Sequence, residues 1–253
     1  MIGGEWGLLD LLPFIAVGFA AQMVDGALGM AFGVISSTLL ISLGVPPASA
    51  SASVHAVESF TTAASGLSHV FHRNVDWKLF ARLMIPGVTG AVLGAYVLTQ
   101  VHADAAKPFV LAYLCLMGIY LLWRGITHKP IEKKPKAVEP LGLVGGFLDA
   151  AGGGGWGPVV TSHLLIQGAN PRKVIGTVNT AEFFVTVTIS ATFIATLGLK
   201  AFTIASIGLL IGGLTAAPFG AWMAKRIAAS LLLKIVGGVL TVTSLVGIVA
   251  ALW

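Results

Sequence analysis

Long apolar runs separated by glycine-rich breaks and prolines make up most of the chain. In the first half, an apolar run from about Leu8 to Val24 breaks at Asp25–Gly29, and a short second run ends where paired prolines follow Leu43. Three longer runs come next, at Ala48–His69, Leu79–Val101 and Pro108–Trp123. A helix needs about 20 apolar residues to cross a bilayer, so the longer runs predict membrane-spanning helices.

The same order of runs restarts after a polar, lysine-rich segment. The second half has a short run Leu141–Leu148, a break at Asp149–Gly157, a short run ending at Ile166, and long runs at Val174–Leu197, Phe202–Met223 and Leu231–Trp253. We therefore predict a first transmembrane repeat (1–124), a basic cytoplasmic linker (125–139) and a second transmembrane repeat (140–253).

The two halves match each other at a constant offset of 124 residues. The matched pairs include Asp25 with Asp149, Gly29 with Gly153, Gly33 with Gly157, Pro47 with Pro171, and Glu58 with Glu182. Phe32 is matched by Trp156, and His55 by Asn179. Self-similarity at a fixed spacing indicates a duplicated structural unit.

The short runs beside each break predict hairpins that enter the membrane and return. Leu141–Leu148 and Pro158–Ile166 are too short to cross it. Non-helical backbone at membrane depth is tolerated only inside the protein or along a cavity, so the breaks are interior. The predicted fold is an all-α polytopic membrane protein, in which each half is a re-entrant broken-helix hairpin plus three transmembrane helices.

The distribution of Lys and Arg predicts how the chain is oriented in the membrane. With the N-terminus outside, thirteen of the fifteen Lys and Arg residues fall inside, and only Lys107 and Lys200 fall outside. Cytoplasmic loops carry an excess of Lys and Arg, so we predict a cytoplasmic linker and periplasmic termini. An odd number of crossings in each half makes the second copy an inverted repeat.

Composition supports a lipid-facing surface. Hydrophobic residues make up 56% of the chain and charged residues only 10%, whereas soluble domains carry about 25% charged residues. The net charge of +5 is explained by the linker and inner loops, so no nucleic-acid partner is expected. A single cysteine, Cys115, excludes an internal disulfide. No positive n-region opens the chain, so we expect no cleaved signal peptide.

Four of the ten acidic residues lie within apolar sequence: Asp25, Glu58, Asp149 and Glu182. Ionisable groups inside a membrane are expensive and usually functional. The alternative is that the two aspartates cap the returning helices and the two glutamates bond a neighbouring break. No Lys or Arg is predicted at this depth, so these acids are protonated, hold a cation, or are stabilised by backbone donors.

Glu58 belongs to a polar stripe on one helix face, formed by Ser51, His55, Glu58, Thr62, Ser65 and His69. The second copy keeps Asn179, Glu182, Thr186 and Ser190. The stripe predicts a face toward a wet cavity, with polar contacts between helices as the alternative. His55 lies one turn before Glu58, so it either shares a proton with Glu58 or is an ordinary satisfied histidine.

Both returning helices are predicted to begin at mid-membrane, where their N-termini could hold an anion without a basic side chain. Four consecutive glycines, Gly152–Gly155, allow close approach of either a ligand or another backbone.

Two duplicated segments carry a family resemblance: Gly18–Gly29 is echoed by Gly145–Pro158, and Val54–Glu58 by Val178–Glu182. With this spacing, nearly the whole chain resembles the sulfite exporter TauE/SafE family of membrane transporters. The resemblance implies a bacterial inner-membrane protein that moves sulfite, sulfonates such as sulfoacetate, or related organic anions, driven by protons. Met30 and Ala31 stand where the second copy has Gly154 and Gly155, so the two half-sites are unequal.

The leading hypothesis is a secondary transporter, not an enzyme, that moves a small sulfur-containing anion by proton-coupled alternating access. Its expected partners are that anion, protons and the lipid bilayer, with no cofactor or metal. A homodimer is compatible with this size, although no sequence feature demonstrates one. Glu58, Glu182 and His55 are predicted to exchange protons. The predicted anion site comprises Gln22, Asp25, Gly29, Gly33, His55, Asp149, Gly153, Gly154, Gly155, Trp156, Gly157 and Asn179.

The sequence leaves two alternative functions open. The four acids could instead bind a metal ion or Na⁺, since hard cations prefer clustered oxygens. Ala63–Gly66 approaches the Gly-x-Ser-Gly of an intramembrane protease around Ser65, but it lacks the first glycine.

Overall fold

The computed structural model describes residues 8–28, 30–127, 135–167, 169–199, 202, 204–226 and 229–252. Gly29, Lys200 and residues 128–134 of the predicted linker lie outside these ranges. The elements are α1 Leu8–Leu28, α2 Phe32–Ser42, α3 Pro47–Phe71, α4 Trp77–Gln100, α5 Ala103–Ile126, α6 Val138–Gly152, a π-helical segment Trp156–Thr161, α7 Ser162–Ile166, α8 Pro171–Leu197, α9 Ile204–Arg226 and α10 Ala229–Leu252. Within the described ranges every element is helical, which confirms the all-α prediction.

Several helices suit a membrane. In the described part of the chain, three are long and apolar enough to cross one: Trp77–Gln100, Ala103–Ile126 and Lys173–Leu197. Four shorter apolar stretches accompany them: Leu11–Asp25, Phe32–Ser42, Ile204–Ala216 and Leu233–Val249. Large apolar side chains point outward, with Phe109 74% exposed and Val246 64% exposed. A soluble protein rarely exposes so much apolar surface, whereas lipid accommodates it.

Proline and aspartate set the starts of the long helices. Pro47 and Pro171 each open a long helix, where the missing N–H has no intrahelical partner to lose. The Asn170 side chain caps α8 by accepting the Lys173 N–H at 3.2 Å. Asp76 caps α4 in the same way, since its Oδ1 accepts the N–H groups of Lys78 and Leu79 at 3.0 and 3.1 Å.

The breaks begin later than the sequence predicted. α1 continues through Asp25 to Leu28, and α6 continues through Asp149 to Gly152. The non-helical residues are Met30 and Ala31 in the first copy and 153–155 in the second. An aspartate is tolerated in a last helical turn, whereas consecutive glycines disfavour helix. Both aspartates therefore sit at the ends of the entering helices.

The most extensive helix contacts join one half of the chain to the other. α1 packs along α9 and its repeat equivalent α6 packs along α4, while α5 pairs with α10 and α3 pairs with α8. Glycines permit these close approaches, as where Gly146 meets the Gly87 backbone and Gly212 meets Ile15. The two halves are therefore interleaved.

α3 and α8 run in opposite directions at the centre of the molecule. Thr62 Oγ1 lies 3.5 Å from Thr186 Oγ1, its equivalent 124 residues later. Ser65 Oγ donates to Asn179 Oδ1 at 3.2 Å, and Gly66 lies against the Thr180 backbone. The two polar stripes therefore contact each other here, as the helix-contact alternative expected.

One end of the molecule is joined by polar contacts between the halves. Lys173 Nζ donates to the carbonyl oxygens of Arg73 and Val75 at 2.9 and 3.3 Å. At the same end of α4, Arg82 Nε donates to Glu139 Oε1 of α6 at 2.5 Å. Three residues that the sequence assigned to the inner side lie at this end: Arg73, Arg82 and Lys173.

We expect Gly90→Ala to lower the thermal stability of the purified protein. A Cβ at position 90 would lie 2.9 Å from both the Leu143 carbonyl carbon and the Phe147 nitrogen of α6. Overpacking of this kind costs about 1–3 kcal/mol, more than the roughly 0.5–1 kcal/mol that alanine gains over glycine in a helix. The measurement is the melting temperature (Tm) in detergent.

Gly238→Ala is the matched control, because a Cβ at position 238 of α10 would meet nothing within 4 Å. Its Tm should stay unchanged or rise. Equal losses in the two variants would contradict the packing of α4 against α6.

Candidate functional site

The two aspartates beside the breaks, Asp25 and Asp149, make equivalent hydrogen bonds. Asp149 Oδ1 accepts the backbone N–H of Trp156 at 2.9 Å, and Asp25 Oδ1 accepts that of Phe32 at 3.3 Å. Each aspartate thus binds the first residue of the returning segment, seven positions later. From the sequence we predicted that these N–H groups are open to an anion, with capping by the aspartates as the alternative. In the structure a carboxylate of the protein accepts a hydrogen bond from each of them.

The two breaks cross in direct contact. A Cβ on Gly33 would lie 2.8 Å from Gly154 Cα, and one on Gly157 would lie 2.9 Å from Met30 Cβ. These contacts are reciprocal, because Gly33 is the repeat equivalent of Gly157 and Met30 that of Gly154. Of the two explanations for the glycine run, close approach of another backbone is the one the structure displays.

Side chains satisfy the backbone of the second break. Ser37 Oγ donates to the carbonyl oxygen of Gly153, and Tyr113 Oη donates to that of Gly154 at 3.0 Å. Gly153 adopts φ +73° and Gly154 φ +142°, conformations that favour glycine. The break is therefore held by groups from α2 and α5.

Trp156 is a core residue. Its side chain is fully buried, and its indole N–H donates to the Val178 carbonyl oxygen at 3.2 Å. A Cβ on Gly87 would lie 2.6 Å from the ring. The predicted role of Trp156 in binding an anion has no free polar atom to use in this arrangement.

His55 contacts an acid from the opposite half. The imidazole is fully buried, and its Nε2 lies 3.2 Å from Asp149 Oδ2. The partner predicted from sequence, Glu58, is farther away, with 3.9 Å between His55 Nε2 and Glu58 Oε2. The helical spacing of α3 predicted Glu58 as the partner of His55. That spacing gives no information about residues of α6, such as Asp149.

Glu58 is 6% exposed and only partly satisfied. The Gly33 N–H bonds to its carboxylate, while Oε2 has no hydrogen-bond partner among the described residues. Asp25, Asp149 and Glu182 all lie within electrostatic reach of Glu58. Among the described residues, no Lys or Arg lies within 4 Å of these four carboxylates.

The two amide side chains of the predicted site, Asn179 and Gln22, differ in their hydrogen bonding. Asn179 Nδ2 donates to the Ile175 carbonyl oxygen at 3.0 Å, and its Oδ1 accepts from Ser65. Gln22 is buried, and its Oε1 has no partner in the described part of the structure. Gln22 therefore has an unpartnered acceptor oxygen within the described ranges, whereas Asn179 and the serine of the protease-like motif bond each other.

The acids are close but do not form a metal site. Within the described ranges, no group of three or more His, Cys, Asp and Glu side chains is arranged to hold a metal ion. The metal version of the cation alternative therefore lacks a ligand set among these residues.

An apolar groove of about 320 Å³, which the sequence did not predict, opens between α4, α5 and α6. Phe109, Phe147 and Tyr113 line it, and it reaches Gly152 beside the second break. Its lining is almost entirely apolar, so no polar motif marks it in the sequence.

Comparison with known proteins agrees with the resemblance seen in the sequence. Residues 14–246 match the family model described as sulfite exporter TauE/SafE. A protein of Bacillus subtilis (strain 168), described as "Probable membrane transporter protein YtnM", is 46% identical over 237 residues, which cover 90% of this chain and 79% of that protein. No solved structure matches the chain.

We expect Tyr113→Phe to destabilise the protein by about 1 kcal/mol, because it removes the hydroxyl that binds the Gly154 carbonyl and keeps the ring. For a chain of this size, that corresponds to a Tm decrease of roughly 2–4 °C. Tyr96→Phe is the control, since Tyr96 is 53% exposed. A Tm equal to that of the control would mean that the hydroxyl does not hold the break.

Proposed function

Because the chain belongs to the sulfite exporter TauE/SafE family and is therefore a membrane transporter, we propose that it moves a small sulfur-containing anion. The proposed substrates are sulfite, sulfoacetate or a related organosulfonate, carried across the bacterial inner membrane by proton-coupled alternating access. The observation that carries the proposal is the cluster of four acids and one imidazole beside the crossed breaks.

The helix pairing supports an inverted repeat as the moving framework. Equivalent helices α3 and α8 pack antiparallel, as Thr62 and Thr186 illustrate. The pairs α1–α9 and α6–α4 exchange when the halves are exchanged. A two-fold axis in the membrane plane relates helices in this way, and transporters with inverted repeats bind substrate near such an axis. The proposed repeats are 1–124 and 140–253, with the linker 125–139 cytoplasmic and both termini periplasmic.

The chemistry of Glu58 accounts for coupling between an anion and a proton. A protonated carboxylic acid donates a hydrogen bond to an anion, whereas a carboxylate repels one. Glu58 Oε2 is buried without a partner among the described residues, so it is free to make that bond. Glu182 provides the equivalent acid from the second half.

We base the proposed anion contacts on buried polar atoms that lack a hydrogen-bond partner, and not on the N-termini of the returning helices. Asp25 and Asp149 occupy the first N–H group of each returning segment. The buried side chains with unpartnered atoms in the described ranges include Gln22, Ser36 and Glu58. We assign anion binding to the Ser36 hydroxyl and to protonated Glu58, whereas the unpartnered atom of Gln22 is its acceptor oxygen Oε1, which cannot donate to an anion. We assign support of the breaks to the glycines and Trp156.

A cation transporter is the second candidate. Four carboxylates with no Lys or Arg partner within 4 Å among the described residues favour it, although no metal-binding group is found among them. Na⁺ therefore remains as the cation in this alternative. The pH dependence of ligand binding distinguishes Na⁺ from an anion.

A thermal-shift measurement on the detergent-purified protein tests the proposal. Sulfoacetate is the main probe, because its sulfonate stays ionised from mildly acidic to neutral pH. A ligand that binds the native state raises the Tm, by an amount equivalent to about 2.7 kcal/mol at 100 times Kd. We expect a larger rise at acidic pH in the wild type, and no such difference in Glu58→Gln.

Glu139→Gln is the control for removing a carboxylate, because Glu139 is exposed and pairs with Arg82 at one end of the molecule. It should keep the wild-type pH difference. Sulfite, sulfate, Na⁺ and divalent metals are measured in parallel. Stabilisation by a cation, stronger at neutral pH and lost in Glu58→Gln, would reverse the choice of substrate.

Two engineered cysteines test the inverted topology. Arg73→Cys and Leu199→Cys mark the α3–α4 and α8–α9 loops, which are repeat equivalents, in a Cys115→Ala background. Both native side chains are exposed, Leu199 by 73%. We expect a membrane-impermeant maleimide to label only position 199 in intact cells, and both positions after lysis. Labelling of both positions from outside would contradict the inversion.

A further inference from the structure

The first proton of His55 is located by its surroundings. Nδ1 lies 2.7 Å from the Ser51 carbonyl oxygen and 3.2 Å from Ser51 Oγ. The Ser51 hydroxyl donates its hydrogen to the Ala150 carbonyl oxygen at 2.7 Å, so it offers Nδ1 only a lone pair. Nδ1 therefore carries a hydrogen and donates it to the Ser51 carbonyl.

A second proton is required on the other side of the ring. An imidazole with its hydrogen on Nδ1 presents a lone pair at Nε2, and Nε2 lies 3.2 Å from Asp149 Oδ2. A lone pair facing a buried carboxylate would be repulsive. One proton between them makes the contact favourable, whether it sits on the imidazole or on the carboxylic acid.

The groups around this pair are acids or a phenol. Glu58 of α3 lies 3.9 Å from His55 Nε2. Glu182 of α8 and Tyr113 of α5 are within electrostatic reach of Asp149, and Asp25 of α1 is within reach of both glutamates. With this much negative charge nearby, a proton held in the cluster reduces mutual repulsion.

We propose that His55 and Asp149 share one proton that ties α3 of the first half to α6 of the second, and that Glu58 Oε2 is the group to which this proton passes. The transfer leaves His55 neutral with hydrogen on Nδ1, Asp149 as a carboxylate and Glu58 as a neutral acid. The Nε2 lone pair then faces the carboxylate, so the proton-dependent bond between α3 and α6 is lost, while the Ser51–Ala150 hydrogen bond remains. The coupling of this step to transport rests on the proposed function, whereas the shared proton does not.

The equivalent position of the other half carries an amide in place of the imidazole. Asn179 occupies the position equivalent to His55, and its Nδ2 donates to the Ile175 carbonyl oxygen at 3.0 Å, as Nδ1 of His55 does to Ser51. An amide cannot take up a proton at physiological pH. Asp25, the equivalent of Asp149, is bonded to the Phe32 N–H. The proton-dependent tie is thus a property of one half-site.

The test is nitrogen NMR of the full-length protein with ¹⁵N-labelled histidine, combined with infrared spectroscopy of its carboxylic acids. His55→Asn, which copies the residue of the other half, assigns the His55 signals. In the wild type at neutral pH, we expect either a doubly protonated His55 ring or a protonated carboxylic acid bonded to Nε2. In Asp149→Asn we expect a neutral ring with hydrogen on Nδ1 and loss of that acid band.

Asp25→Asn is the matched control and should keep the wild-type signature of His55. A wild-type ring whose Nε2 is bare and without a hydrogen bond at neutral pH would overturn the proposal. A ring with hydrogen on Nε2 and none on Nδ1 would do the same. The wild-type spectrum decides even if Asp149→Asn does not fold. The readout needs no substrate, so failure of anion binding and failure of the shared proton are separate results.

Discussion

The structure depends on satisfying two breaks in helical backbone inside the protein. Buried backbone N–H and C=O groups must be hydrogen-bonded, so each break needs partners from the protein. Asp25 and Asp149 bind the first N–H of the returning segments, and Tyr113 binds a carbonyl of the second break. The breaks also contact each other through Gly33 and Gly154. This requirement brings the halves together and explains why the main helix pairs cross from one half to the other.

The acids that stabilise the breaks create the electrostatics of the site. Carboxylates buried without Lys or Arg repel one another, so the cluster favours protons and discourages more negative charge. Within the described residues, the basic side chain in contact with the cluster is His55, 3.2 Å from Asp149. In the proposed function an anion enters together with a proton, because the charge that holds the breaks together otherwise opposes it. In that proposal, structural support and coupling use the same residues.

Much of the fold could be predicted from the sequence, because repeats, helical periodicity and proline positions are local signals. The all-α class and the polar stripe of α3 are of this kind. The partner of His55 could not be predicted, since Asp149 lies 94 residues away and helical spacing pointed to Glu58. The glycine run could not be interpreted either, because close packing and ligand approach require the same residue type. The apolar groove near Tyr113 carried no polar signal.

The departures from two-fold symmetry lie at the centre of the site. Thr62 and Thr186 meet as equivalents, and the aspartate caps are equivalent, so the supporting framework is symmetric. His55 faces Asn179 in the alignment, and Met30 faces Gly154. Of these two residues only the histidine can take up a proton, so the proton proposed between His55 and Asp149 has no counterpart at Asn179. Two equivalent shared protons would join the halves by the same bond on both sides. With one shared proton, the loss of that bond depends on one residue, His55. The sequence difference between the copies is therefore where this chain's chemistry is concentrated.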